Sequence, residues 1–540
     1  MTRTDDQKTP VLIVGGGVTG LSTALFLARQ GMRPILVERH PTESIMPKAR
    51  AFNPRTGEIY RGYGLTEDIL ARKSYLADFP EMIGADTLAG DERFRMDLGA
   101  HVGPPPGLSP ADWAAIDQDE MERLLHARAV EAGADVRFNT EMISLDSRTD
   151  GVSVVARELG SGTEYRIDAE YLVAADGHRA GIRARLGIDA DQVLPPGRGA
   201  YIIFEADLTE AMRGRRFILA YLNQPAPGTA LVPVAENRWT IGFAYAPGIG
   251  ESPEDFTEEH CIELARRAIG EPQVEITLLP PIPGRPEKVA HTSAGSGAVV
   301  ARRFREGRVF LLGDAAHVVP PSGSYGASTG IADAHNLAWK LTAVLNGQAG
   351  PGLLDTYELE RLPVARTTLD HAVNLLQVRG TGTVEDNEGI DDVTMIFGYR
   401  YVSPAVHTEE PAPEKLTQDP RVPTGEPGLR APHVWLERAG ERFSTTDLCT
   451  GFWSLLVGPD GDGWEDAAKA VGTELGVDLR IYRLGAELRD PENKLLTSFG
   501  LEGTGASLVR PDGFVAWRSA TQPADVQSRL QQKLTGLLAR

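Results

Sequence analysis

An apolar run, Val11-Leu-Ile-Val14, passes straight into Gly15-Gly-Gly17-Val-Thr-Gly20, and an apolar segment from Leu21 to Gln30 follows. A second apolar run, Pro34-Ile-Leu-Val37, ends at Glu38. The lengths of these runs predict strand, helix, strand. Few folds accept that order with three glycines in the turn. Gly15 permits the tight turn, Gly17 lets a pyrophosphate approach the backbone, and Gly20 lets helix and strand pack. The helix start adds unpaired N–H groups and a positive dipole end. Glu38 stands where an adenosine ribose would offer its hydroxyls, and Arg39 follows it as a further candidate contact. The pattern predicts a parallel α/β domain holding a dinucleotide. It does not separate NAD from FAD.

Residues 309–341 read VFLLGDAAHVVPPSGSYGASTGIADAHNLAWKL. A short apolar run ends at Gly313-Asp314, a loop with Pro320, Pro321, Gly323 and Gly326 follows, and a helix is expected from about Thr329. Its apolar face carries Ile331, Leu337, Ala338, Leu341, Val344 and Leu345. Asp314 can accept hydrogen bonds from sugar-like hydroxyls, and small loop residues allow close backbone approach. A flavin, whose reduced ring is an anion, suits an acid, a glycine loop and a helix N-terminus. A third strand-to-glycine junction lies at Tyr171-Leu-Val-Ala-Ala-Asp176-Gly177-His-Arg-Ala-Gly-Ile-Arg183. Asp176 is a candidate contact near the pyrophosphate, with Arg183 as a nearby cation. Taken alone, the segment also reads as an ordinary strand-to-helix turn.

The order GxGxxG, DG, GD resembles the FAD-dependent aromatic hydroxylases, the single-component flavoprotein monooxygenases. Pro47-Lys-Ala-Arg50-Ala-Phe-Asn-Pro-Arg55-Thr resembles the family's arginine segment, and Asp117-Gln118-Asp-Glu-Met-Glu122 its glutamine that reaches the cofactor. Leu354-Asp-Thr-Tyr357-Glu-Leu-Glu-Arg361 is similar to its helix after the GD loop. Gly428-Leu-Arg-Ala-Pro-His433 and Ala506 to Trp517 are similar to the extra domain of the polyketide branch. Two loop positions depart from the family: a glycine pair reads Gly323-Ser324, and an asparagine position is Ser328. The DG motif carries Ala180 in place of its usual serine.

The resemblance implies non-covalent FAD, held by Gly15, Gly17, Gly20, Glu38, Arg39, Arg50, Gln118, Asp176, Asp314, Gly323, Gly326, Ala327 and Ser328. It implies NADPH or NADH as a transient co-substrate, since no second nucleotide fingerprint is visible, and O2 as the oxidant. Oxygen would add at the flavin C4a, and an electron-rich ring of a polycyclic aromatic polyketide would attack the hydroperoxide, as in antibiotic-type secondary metabolism. Tyr221 and Pro321 are the candidate substrate contacts. Tyr221 is also the candidate base for a substrate phenol, or a hydrogen-bonding wall of the cavity. His317 can titrate near neutrality or pin its loop. Tyr325 can stack near the flavin or fill the loop. Two other readings stay open: Baeyer–Villiger oxygenation of a polyketide, and a non-catalytic, FAD-stabilised protein that sequesters an intermediate.

The 540 residues allow several domains. A net charge of −20 speaks against nucleic acid and anionic membranes as partners. Cys261 and Cys449 form no CxxC pair, which suits a reducing cytoplasm, and the histidines have no metal-ligand spacing. Val11 to Ala28 is too rich in glycine for a signal peptide or membrane span.

The expected architecture is α/β: a Rossmann-like FAD-binding domain in two pieces, 1–186 and 296–400, with an inserted β-sheet substrate domain at 187–295. Strands are expected at Ala200 to Ala206, Phe217 to Leu222 and Trp239 to Tyr245, with a helix at Glu258 to Ala268. Residues 401–432 read as a linker. Residues 433–540 read as a thioredoxin-like domain of βαβββα type, redox-inert without CxxC.

Overall fold

The computed structural model describes residues 6–540 apart from 47, 75–78, 80, 98–103, 196, 247–248, 251, 283, 294–296, 382–389, 410–413 and 486–487. Pro47, at the head of the arginine segment, and residue 296, an expected domain boundary, lie outside the described residues.

The first sheet runs Arg305–Glu306, Val309–Leu311, Glu164–Ala174, Gln7–Val14, Ile35–Val37, Asp135–Arg137. From Val309–Leu311 to Asp135–Arg137 the neighbours are parallel. The central segments 11–14, 35–37, 171–174 and 309–311 are buried apolar runs, the usual state of a parallel sheet. Helix Val18–Arg29 starts before the expected Leu21, so Gly20 lies inside it. A Cβ on Gly20 would stand 2.0 Å from the Gly15 carbonyl oxygen, so only glycine allows this approach. Helix Tyr325–Leu345 likewise starts earlier than Thr329, because Ser324 turns the chain with φ 57°.

The second sheet runs Thr277–Leu279, Gly199–Glu205, Arg238–Ala244, Thr229–Ala235, Leu219–Leu222, Glu81–Ala85, Glu92–Asp97, with His291–Ser293 also paired to Gly199–Glu205. The expected inserted strands are all present, within two residues of their expected ends. Residues 81–97, which the sequence division leaves in the first domain, add two strands here. They join through parallel pairing of Glu81–Ala85 with Leu219–Leu222, a contact far apart in sequence. One face of the sheet packs on helix Glu258–Ile269 through Cys261, Leu264, Ala265 and Ala268. The helix is set locally: Thr257 Oγ1 accepts from the His260 N–H at 3.3 Å, two glutamates fill the first turn, and Gly270 closes it with φ 84°.

The third unit is a sheet ordered Leu479–Arg483, Trp453–Val457, Ala506–Val509, Val515–Ser519. The first pair is parallel and the others antiparallel. A short helix, Leu495–Phe499, makes the order βαβαββα, one helix more than the sequence suggested. That is the thioredoxin-like arrangement. Residues 401–432 are not a free linker, since Tyr401, Ala405, Leu429 and Ala431 are buried. Apolar side chains hold the two ends of the segment, whereas its residues 414–424 are exposed or half-buried. No helix among the described residues is long and apolar enough to cross a membrane.

Candidate active site

The three motifs stand side by side at the C-terminal ends of adjacent parallel strands, where such folds bind ligands in a crevice. Gly15 follows Gln7–Val14, Asp176 follows Glu164–Ala174 and Asp314 follows Val309–Leu311. A Cβ on Gly15 would lie 2.1 Å from the Ala175 carbonyl oxygen, and Gly15 has φ +114°. Cβ atoms on Gly313 and Gly330 would lie 2.6 and 2.4 Å from Thr19 Oγ1. The GD loop and helix Tyr325–Leu345 therefore pack their backbones closely against each other and against the Thr19 side chain of the glycine-loop helix. Gly17 differs: its Cβ would find no protein atom nearer than Glu122 Oε1 at 3.8 Å. The space beside it is open to the approach of a ligand.

Glu38 closes the first βαβ unit. Burial raises its carboxyl, but His40 and the Gly16 N–H, which donates to Oε2 at 2.7 Å, outweigh that and hold it below the usual range. Arg39 is exposed nearby. Asp176 Oδ2 accepts from the Ile182 N–H at 2.9 Å, whereas buried Oδ1 has no partner. Burial raises this carboxyl. An orphaned acceptor beside an open glycine turn fits a ligand carrying donors, such as the sugar hydroxyls of a dinucleotide. Asp314 is exposed at the crevice.

Gln118 lines the same crevice. Its Nε2 donates to Glu122 Oε1 at 2.8 Å and its Oε1 accepts from the Ala49 N–H at 3.1 Å. Glu122 also accepts from the Val18 N–H at 3.2 Å, and burial raises its carboxyl. A buried acid at the glycine-loop helix start was not visible in the sequence. Arg50 binds across domains: Nε donates to Asp117 Oδ1 at 2.7 Å and Nη1 to the Pro233 carbonyl at 2.6 Å. It ties the crevice to the second sheet. Arg55 pairs with Glu58 at 2.9 Å and donates to the Asp512 carbonyl at 2.9 Å, facing the C-terminal domain.

In the GD loop, His317 Nε2 meets Asp333 Oδ2 at 2.6 Å in a fully buried pair, and Arg361 Nε holds Asp333 Oδ1 at 2.7 Å. Asp333 Oδ2 also accepts from the Gly313 N–H at 3.1 Å. His317 thus pins the loop. Tyr325 is buried, its hydroxyl bonded to Asp392 and its ring edge-on to His371. It fills the loop. Ser324 adopts the left-handed conformation that the family's second glycine would take freely. Ser328 is buried and its Oγ accepts from the Asn53 N–H at 3.2 Å. Gly323 has φ +80°, with the Tyr325 ring where a Cβ would be. Gly326 and Ala327 are half-buried and Pro321 is exposed.

Electrostatic neighbours of the crevice were missed in the sequence. Burial lowers the His178 pKa, Asp314 opposes this, and Arg179, Lys48 and Arg39 add to it. Burial lowers His291 too, followed by Lys48, His178 and Arg179. His178 directly follows the DG pair and was within reach of motif reading. His291 comes from the second sheet, so nothing local marks it. Tyr221 lies on the sheet face turned away from the core and is 39% exposed.

The geometry brings a dinucleotide-type glycine turn and two acid-bearing strand ends together beside a second sheet. Residues 8–372 match the FAD binding domain family, and residues 424–540 match the C-terminal domain of aromatic-ring hydroxylases. The chain belongs to the FAD-dependent aromatic-ring hydroxylases. It is 39% identical to tetracenomycin A2 monooxygenase-dioxygenase of Streptomyces glaucescens, over 99% of this chain and 97% of that one. It is 40% identical to 4-methyl-5-nitrocatechol 5-monooxygenase of a Burkholderia species, over 99% and 98%. A crystal structure of aklavinone-11 hydroxylase with FAD and aklavinone superposes with a TM-score of 0.87 at 37% identity, covering 99% of this chain and 100% of that one.

Proposed function

We propose that this FAD-dependent monooxygenase hydroxylates an aromatic polyketide, drawing electrons from NADPH or NADH and consuming O2. The observation that carries the reading is the placing of an exposed sheet face beside the cofactor crevice, with Arg50 joining the two. Full-length similarity to a structure that holds FAD and aklavinone supports it. Bound FAD supplies the redox chemistry that passes electrons from NAD(P)H to O2.

The chain's own residues do the rest. The turn at Gly15 and Gly17 takes the pyrophosphate, and Glu38 takes the adenosine ribose. Asp176 and Asp314 accept from the cofactor, with Gln118 and the loop Gly323 to Ser328 along its flank. The His317–Asp333–Arg361 chain keeps that loop rigid, so its N–H groups stay aimed. The second sheet holds the ring and keeps water off the reacting atoms.

Tyr221 is the residue we assign to the substrate hydroxyl. In Tyr221→Phe, FAD content and NADPH oxidation are expected to persist while product falls about tenfold and hydrogen peroxide accounts for the missing oxygen. If the tyrosine moves a proton, the pH profile of the coupled rate loses a protonation step in the variant. Full coupling, or an unchanged profile shape, removes Tyr221 from proton transfer. Product NMR, by showing phenol rather than lactone, tests hydroxylation against Baeyer–Villiger oxygenation. Absence of substrate-stimulated NADPH oxidation would favour a mere binding protein.

The C-terminal domain takes no part in electron transfer on this reading. Cys449 is buried, its Sγ donates to the Thr445 carbonyl at 3.2 Å, and burial pushes its thiol up to about 12. A thiolate is therefore scarce at neutral pH. Cys449→Ser is expected to keep wild-type turnover and FAD content, checked by product formation and flavin absorbance. Lost hydroxylation in a well-folded variant would contradict this.

A further inference from the structure

On the face of the second sheet that carries Tyr221, the strand register aligns one residue per strand in a single row. Tyr201 pairs with Gly242, Gly242 with Ala230, Ala230 with Tyr221, Tyr221 with Gly84, and Gly84 with Phe94. The row sets its three rings apart with small residues: Gly242 and Ala230 lie between Tyr201 and Tyr221, and Gly84 between Tyr221 and Phe94. At the strand spacing of a sheet it spans about 24 Å.

The two glycines have no backbone reason to be glycine. Neither has a left-handed φ. Glycine inside a strand weakens it and commonly marks a close approach. Here the approach is a ring: a Cβ on Gly242 would lie 2.7 Å from Tyr201 Cδ1, and one on Gly84 would lie 2.1 Å from Phe94 Cε1. Each glycine lets a neighbouring ring lie down on the sheet. Tyr201, Tyr221 and Phe94 are 42%, 39% and 46% exposed, high values for large apolar rings gathered on one sheet face.

This face is continuous with the cofactor crevice. His291, paired with Tyr201 at the end of the row, shares its electrostatic surroundings with Lys48, His178 and Arg179. Arg238, on the same face, lies 3.8 Å from Asp119 of the first domain.

We propose that Gly84 and Gly242 are specificity-determining residues: by recessing Phe94 and Tyr201 they flatten the row into a platform for a substrate of several fused aromatic rings. The inference deepens the proposed function and rests on it. An edge-on ring would fit a one-ring phenol as well. A flat row of this length rewards only an extended planar ligand, stacked along it.

The test uses the full-length, FAD-loaded protein. Dissociation constants are read from perturbation of the flavin spectrum for catechol, a dihydroxyanthraquinone and a dihydroxynaphthacenequinone. Wild type is expected to bind more tightly as rings are added, by about tenfold or more across the series. Gly242→Ala lifts the Tyr201 ring and is expected to weaken the multi-ring ligands about tenfold, with catechol changed less than twofold. In a Tyr201→Ala background the same glycine change is expected to be silent, since the displaced ring is gone. Should Gly242→Ala fail to retain FAD, Tyr201→Leu removes the ring without altering that strand, and the same selective loss is expected. Equal losses for all three ligands, or an undiminished effect without Tyr201, overturn the platform while leaving the aromatic site standing. If no aromatic compound perturbs the wild-type flavin, the site reading itself falls and the platform with it.

Discussion

An alanine at position 17 is expected to leave the apoprotein intact and to strip it of FAD. Gly17 has φ −78° and ψ 179°, extended backbone that alanine adopts without strain. Its added Cβ meets no protein atom within 3.8 Å. The methyl group occupies only the space that a pyrophosphate needs. Losing one or two charge-assisted hydrogen bonds, at ~1.5–3 kcal/mol each, weakens FAD on the order of 100-fold. Gly15→Ala is the contrasting case. There the Cβ lies 2.1 Å from the Ala175 carbonyl oxygen and φ is +114°, so the turn or the neighbouring strand end must move. Left-handed backbone and overpacking together cost about 2–5 kcal/mol, so this variant loses both thermal stability and FAD. Melting temperatures of the two apoproteins and their FAD dissociation constants separate the cases. Wild-type FAD affinity in Gly17→Ala would remove the glycine loop from the cofactor site.

The three strand-to-turn junctions of the candidate site were legible because each is local. A strand, then an acid or glycine turn, then a helix can be read within about fifteen residues, and parallel pairing brings three such junctions together. What stayed hidden depends on distant contacts. Glu122 looks like one more acid on helix Gln118–Glu131, yet it is buried against Val18. The strand Glu92–Asp97 alternates Phe94 and Met96 with arginines, a strand pattern whose place depends on the chain returning at Leu219–Leu222. His291 sits on a three-residue strand with no motif around it. The two substituted loop positions look like lost contacts in the sequence. In the structure Ser324 keeps the turn that glycine would make, and Ser328 holds Asn53.

Helix Tyr325–Leu345 shows the same limit. Its expected apolar face is buried at Ile331, Leu337, Ala338 and Leu341, but so are Asp333, Asn336 and Lys340 on its other side. Asp333 is covered by His317 and Arg361 of the first domain, Lys340 meets Glu360, and Asn336 reaches both Glu360 and, in the C-terminal domain, Asp512. Through Asp512 the C-terminal domain thus takes part in holding the helix that begins at Tyr325.

Arg510→Met is expected to loosen that hold and produce the largest stability loss among single changes outside the crevice. Arg510 is fully buried between Glu360, at 2.6 Å, and Asp512, also at 2.6 Å. Lys340 Nζ meets Glu360 at 2.7 Å from the helix side. Burial disfavours the Glu360 charge, but Arg510 and Lys340 outweigh that and hold its carboxyl far below the usual range. Removing Arg510 leaves two buried carboxylates facing one lysine. Breaking such a pair costs about 3–5 kcal/mol, against ~0–1 for an exposed pair such as Arg148–Asp150. Removing the stranded charge as well, in Arg510→Met with Glu360→Gln, is expected to restore part of the loss. The pH dependence has a fixed sign. A carboxyl whose folded pKa is depressed contributes stability above its unfolded pKa, near 4.5, and loses it as pH falls through the folded value. Domain docking, followed by protease resistance and by calorimetry, should therefore weaken with acid below about pH 4.5 in wild type, and less steeply in Glu360→Gln. FAD release should accompany it, because the undocked helix no longer fixes the GD loop. If Arg510→Met costs no more than the exposed pair, the cluster is packing without electrostatic consequence, and the first turn of the helix owes its position to the first domain alone.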